Sequence, residues 1–180
     1  NLDLFLRAVA PCRDTVHVFV AGSGQGGRHR SMDFYRSLAR ELGIQTSVTF
    51  REGYVSEKEV PDMFEAADWV ALPYSRTFTS QSGVLNVATR YRRPVLLSKS
   101  PTFEETLRKF DVGCLVEPDD ETSLTRGIRV IQSRISGAYQ HQFEEYERFF
   151  GWCENADRTL QVYRAVVGLP FAPSSTRCMR

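Results

Sequence analysis

The residues whose types and spacing bear on chemistry are gathered in Thr79-Ser80-Gln81-Ser82-Gly83-Val84. They open a helix predicted over residues 81–92, where Val84, Leu85, Val87, Ala88 and Tyr91 recur mostly at three- and four-residue spacing. The first N–H groups of a helix have no intrahelical acceptor and sit at the positive end of its dipole, a setting for an anion such as phosphate. Gly83 has no Cβ, so a phosphate can approach the backbone there. Thr79, Ser80, Gln81 and Ser82 carry donors for phosphate or sugar hydroxyls, and Val84 adds a second first-turn N–H. Arg76 is the one cation in the loop of residues 74–83 and suits a diphosphate. The same residues also read as an ordinary capped helix, with Ser80 as N-cap and Gly83 allowing close helix packing.

Two further loops carry signals. Gly22, Gly24 and Gly27 follow an apolar strand over residues 16–21 and form G-x-G-x-x-G. The acidic residue that a dinucleotide site needs about 20 residues later is missing, which disfavours a nicotinamide site. A tight strand-to-helix turn is the alternative. Gly53-Tyr54-Val55 follows the second strand, and Tyr54 either borders a base or packs on the surface. Lys99, after a later strand, is within reach of the same edge.

Metal chemistry finds no support in the spacing. Cys12, Cys114, Cys153 and Cys178 are scattered without a CxxC pair, and His17, His29 and His141 are equally dispersed. No metal and no cofactor are expected, and the thiols are read as reduced, in a cytoplasmic protein. The net charge of +1 gives no global attraction to nucleic acid or anionic lipid. No apolar run reaches the roughly 18 residues of a membrane span.

The elements that must position these residues alternate. Strands are expected near residues 16–21, 46–51, 69–72, 95–97 and 114–116, with helices between them. Ser56 and Glu59 form a capping-box pair ahead of a third helix. Phe143, Tyr146 and Phe150 make a packing stripe on a later helix. Such alternation predicts an α/β, Rossmann-like three-layer domain, a parallel sheet with helices on both faces. Ligands of such sheets bind outside the carboxyl ends of the strands, where the three loops lie. Residues 1–168 are expected to form one unit, with 169–180 a flexible tail.

Taken in order, VFVAGSGQGG, VTFREGYVSEKEVPDMFEAADWVALPY, SQSGVLNVATRYRRPVLLS, VGCLVEPDDETSL and WCENADRTLQVYRAV resemble the C-terminal half of a GT-B glycosyltransferase of the retaining family 4 or group 1 type. The resemblance implies a donor-binding domain for a nucleotide diphosphate sugar, whose sugar passes to an acceptor hydroxyl. It implies a base near Gly53-Tyr54-Val55, a diphosphate over Ser80 to Val84, and Gly22 and Gly24 as floor. Many members carry two glutamates around this helix start; the matching positions here are Thr79 and Val87. Some members carry the Ser-Gly-Val-Leu form instead. The family's diphosphate-binding arginine and lysine precede the first helix and are expected upstream of Asn1, as is the acceptor domain. No catalytic residue is assigned within the chain, which is expected to be inactive alone. Peripheral membrane association of the full enzyme, at the inner face, is a further expectation. A non-catalytic nucleotide- or partner-binding module is the alternative.

Overall fold

The computed structural model describes residues 1–23, 30–135 and 140–170. The described elements run α1 (Leu2–Val9), β1 (Val18–Gly22), α2 (Met32–Glu41), β2 (Val48–Glu52), α3 (Val60–Ala66), β3 (Val70–Leu72) and α4 (Gly83–Arg90). Then come β4 (Val95–Ser98), α5 (Pro101–Lys109), β5 (Gly113–Val116), α6 (Glu121–Arg134), α7 (Gln140–Phe150) and α8 (Trp152–Val166). All strand pairings are parallel: β1 with β2, β3 with β4, and β4 with β5. Among the described residues the hydrogen-bonded ladders are therefore two, β1-β2 and β3-β4-β5.

The three-layer arrangement follows from β4, which is buried at every position. Successive side chains of a strand point to opposite faces. Leu96 enters a core with α1, α6, Val18 and Val48. Val95 and Leu97 enter a second core with Leu85, Ala88, Phe103, Phe110, Phe143 and Tyr146. One face is thus covered by α1 and α6, the other by α4, α5 and α7. The first core also contains residues of both ladders, which binds them together.

Several elements differ from the sequence expectation. The nearly continuous apolar run over residues 16–21 suggests a strand covered on both sides, yet Phe19 of β1 is 49% exposed. Its neighbour on that face, His17, spends its ring Nε2 on a hydrogen bond with Thr49 Oγ1 at 2.8 Å. The third helix begins at Val60, after a turn, although the capping pair forms: the Ser56 N–H donates to Glu59 Oε2 at 2.9 Å. The thiols are not all reduced. Cys12 and Cys114 are free, whereas Cys153 is disulfide-bonded.

The aromatic stripe of α7 packs as expected. Phe143 and Tyr146 are buried in the second core and Phe150 packs against it. Tyr146 Oη donates to Asn86 Oδ1 at 2.6 Å, so α7 grips α4 from behind. Burial pushes the Tyr146 phenol up to about 12. α8 buries none of its residues within this chain, and Trp152 is 87% exposed. Of the expected tail, residues 171–180 lie outside the described residues.

Candidate functional site

The carboxyl ends of parallel strands form one edge of the molecule. The loop between β3 and α4 lies on it. Pro73 ends the strand, and Phe78 N–H donates to Ser75 O at 2.9 Å, closing a turn over residues 75–78. Tyr74 and Phe78 stack at 3.9 Å between ring centroids with planes 8° apart. Both stack on the buried Phe103 of α5 at about 6 Å. This aromatic stack anchors the loop to the second core.

The Tyr74 hydroxyl shares a 2.9 Å hydrogen bond with Ser82 Oγ. That same oxygen accepts from Leu85 N–H at 3.1 Å, so Ser82, not Ser80, is the N-cap of α4. Two serines two residues apart made either possible; the tyrosine decides. Ser82 is 4% exposed and its hydroxyl is occupied, so its part is to set the helix start. Thr79, Ser80 and Gln81 are exposed and precede the cap.

Gly83 follows the cap and is exposed. A Cβ built on it would meet nothing within 4 Å. Among the described residues no neighbour occupies that space, so the close-packing alternative for Gly83 has no partner there. Val84 is 44% exposed. The N–H groups of these first-turn residues have no intrahelical acceptor and look out on open surface at the positive end of the dipole.

The other loops are joined to one another. Gly53 N–H donates to Gly22 O at 3.0 Å, bringing together the ends of β1 and β2. Gly53 has φ +112°, a conformation that suits glycine. Tyr54 is 81% exposed and Val55 half-buried. Arg51 braces this loop: Nη1 donates to Tyr54 O at 3.1 Å, and Nη2 pairs with the Glu59 carboxylate. Hydrogen bonds from the Ser56 hydroxyl and N–H, then from Arg51, pull Glu59 down to about 2. Gly24 lies outside the described residues. Among the described residues, no hydrogen bond or ion pair joins these two loops to the β3–α4 loop.

The cations are partly committed. Lys99 pairs with Glu117, which raises the lysine's pKa. Arg76 donates its backbone N–H to Asp119 Oδ2 at 3.0 Å, and its guanidinium approaches Pro118 O at 3.5 Å. Asp119 is absent from the residues singled out by sequence. Its only local signal is a position between Pro118 and the Asp120 cap of α6. Cavities of about 350 and 240 Å³ lie along α6, away from the first turn of α4. No group of three or more His, Cys, Asp or Glu side chains suited to a metal occurs among the described residues. None of the described helices is long and apolar enough to cross a membrane.

Comparison with known proteins bears on this edge. Residues 1–133 match the model of a family described as glycosyl transferases group 1. D-inositol 3-phosphate glycosyltransferase of Mycobacterium marinum is 31% identical over 172 residues, covering 92% of this chain and 36% of that protein. The chain thus spans little more than a third of the curated relatives it matches. Anabaena Alr3699/HepE, solved in complex with UDP, aligns with a TM-score of 0.74 at 17% identity, over 92% of this chain and 44% of that one. The C-terminal domain of a glycosyl transferase group 1 family protein (LpcC) from Francisella tularensis aligns at 0.67 and 16% identity, over 83% and 78%. The fold is that of the C-terminal half of a GT-B architecture, as the sequence led one to expect.

Proposed function

The chain belongs to the group 1 glycosyl transferases, and from that premise we propose that it is the donor-binding half of an enzyme moving a sugar from a nucleotide diphosphate sugar to an acceptor hydroxyl. The observation that carries this reading is the first turn of α4. Its cap is buried and fully hydrogen-bonded, while Gly83 leaves open space in front of free-facing N–H groups. In this reading the Gly83 and Val84 N–H groups receive a phosphate. Thr79, Ser80 and Gln81 donate to phosphate or sugar hydroxyls, and Arg76 offsets charge. Tyr54 and Val55 border the base, with Gly22 and Gly24 beneath the donor.

The chemical contribution of this half is electrostatic. As the bond between sugar and diphosphate breaks, negative charge grows on the departing diphosphate. Donors already aimed at that place stabilise it without reorganising. Each hydrogen bond to a charged phosphate is worth about 1.5–3 kcal/mol, and the dipole adds about 0.3–1 kcal/mol at an exposed helix end. The remaining cations and the acceptor site belong, in this proposal, to the segment preceding α1.

Calorimetry on the full-length enzyme tests it, with UDP, GDP and ADP and their sugars as titrants. Gly83→Ala keeps the fold, and Gly83→Glu sets a carboxylate against the phosphate. Binding by the parent protein, lost on Gly83→Glu, is the expected result. No binding at millimolar nucleotide, or equal binding by Gly83→Glu, contradicts the reading. Gly83 is a better probe than Ser82, whose replacement would disturb a buried cap. A second reading, a nucleotide-binding module without transfer, draws on Thr79 and Val87 standing where many relatives carry glutamates. Nucleotide binding without any transfer would select it.

A further inference from the structure

We propose that Asp119 is a positioning residue for this site: its carboxylate clamps the β3–α4 loop to the turn between β5 and α6. The inference rests on the donor reading above. Asp119 stands at φ +60°, in the left-handed region, where aspartate is tolerated better than most residues but glycine fits without strain. The neighbouring Asp120 already caps α6, accepting from Ser123 N–H at 2.8 Å. The Asp119 carboxylate therefore has no local task. It reaches outward, and both of its oxygens are used by groups far away in sequence. Oδ2 accepts from the Arg76 N–H at 3.0 Å, and Oδ1 accepts from Asn1 Nδ2 at 2.7 Å.

The Arg76 N–H is the right one to seize. The 75–78 turn uses the N–H of Phe78 and leaves that of Arg76 pointing out of the turn. Asp119 captures it, and Pro118 O takes the guanidinium of the same residue. The loop is then held at two places: Asp119 on the outside, and the Tyr74–Ser82 hydrogen bond on the inside. Thr79, Ser80 and Gln81, the exposed residues leading to the α4 cap, run on from this clamp. The bonds from Arg76 and Asn1 also hold the carboxyl below its usual range, so the clamp stays charged at neutral pH. Without it, the loop must be ordered by the donor itself, which weakens donor binding more than it slows the chemical step.

The test compares Asp119→Gly and Asp119→Asn in the full-length enzyme. Asp119→Gly removes both acceptors and regains part of that loss by relieving the left-handed backbone, so its melting temperature should change by only a few degrees. Asp119→Asn retains an acceptor for Arg76 and tolerates the same φ. Two readouts are taken: amide hydrogen exchange at Arg76, and KM for the donor against kcat. The expected result for Asp119→Gly is Arg76 exchange on the order of tenfold faster and a donor KM on the order of tenfold higher, with kcat within about twofold. Asp119→Asn should recover most of both. Unchanged Arg76 exchange in Asp119→Gly overturns the clamp. Faster exchange with an unchanged donor KM overturns the positioning role while leaving the donor reading intact. A parent enzyme that binds no nucleoside diphosphate overturns the donor reading itself, and the positioning role with it.

Discussion

Replacing Ser82 by alanine separates stability from ligand binding at the α4 cap. Ser82 Oγ serves two partners, the Leu85 N–H and the Tyr74 hydroxyl, in a site that is 4% exposed. Loss of the N-cap costs about 1 kcal/mol. The half-buried Tyr74 hydroxyl, left without its partner, costs about 1 kcal/mol more. The sum of about 2 kcal/mol lowers the melting temperature by roughly 4–8 °C for the transition of a unit of this size, and by less where the full-length protein unfolds as one. Tyr74→Phe alone keeps the aromatic stack and removes only its hydroxyl, at about 0.5–1 kcal/mol. In the double variant no orphaned tyrosine hydroxyl remains, so the two losses are less than additive by roughly 0.5–1 kcal/mol. Gly83→Ala, one residue on, has room for its methyl and should keep or slightly raise the melting temperature. Thermal unfolding by circular dichroism of the full-length protein, with and without UDP, measures all four. If Ser82→Ala loses less than about 0.3 kcal/mol, or adds to Tyr74→Phe without coupling, the shared-oxygen account of the cap is wrong.

Two other outcomes follow from the packing and the ion pairs. Glu59 is drawn from 4.5 to about 2 by Ser56 and Arg51 in the folded chain. A carboxyl with a depressed folded pKa stabilises above its unfolded value and loses that contribution as pH falls through the folded one, here between 4.5 and about 2. Glu59→Gln should flatten that part of the acid-stability profile, read as urea midpoints across the window; an unchanged slope would show that the pairing is absent in solution. Gly113→Ala should cost about 3 kcal/mol, since its methyl would stand 2.0 Å from Val95 O in the β4–β5 ladder. Its urea midpoint checks this, and a midpoint equal to the parent's would mean the ladder is looser than its geometry.

The alternation of strands and helices was legible because period-two and period-3.6 patterns are local. Val95-Leu96-Leu97 reads as a strand buried on both faces, and it is one. Phe143, Tyr146 and Phe150 read as a packing stripe and pack as one. The open helix start before Gly83-Val84 was visible for the same reason, since a cap and a first turn span only a few residues. The identical local signal misled at β1, where an apolar run says nothing about whether a helix covers Phe19. At α4, Ser80 and Ser82 are equally good caps by residue type.

By its order of residues alone, this chain specifies which segments are helix or strand and which loops follow the carboxyl ends of the strands. It also determines that carboxylates are missing at Thr79 and Val87. Tertiary structure chose Ser82 as the cap, through a hydroxyl eight residues away that is held by stacking on Phe103. It also joined Arg76 to Asp119 across 43 residues, and Gly22 to Gly53 across two strands. Periodicity and capping act over about four residues of a helix. Hydrogen bonds between loops depend on where the sheet brings them, and a linear pattern does not contain that information.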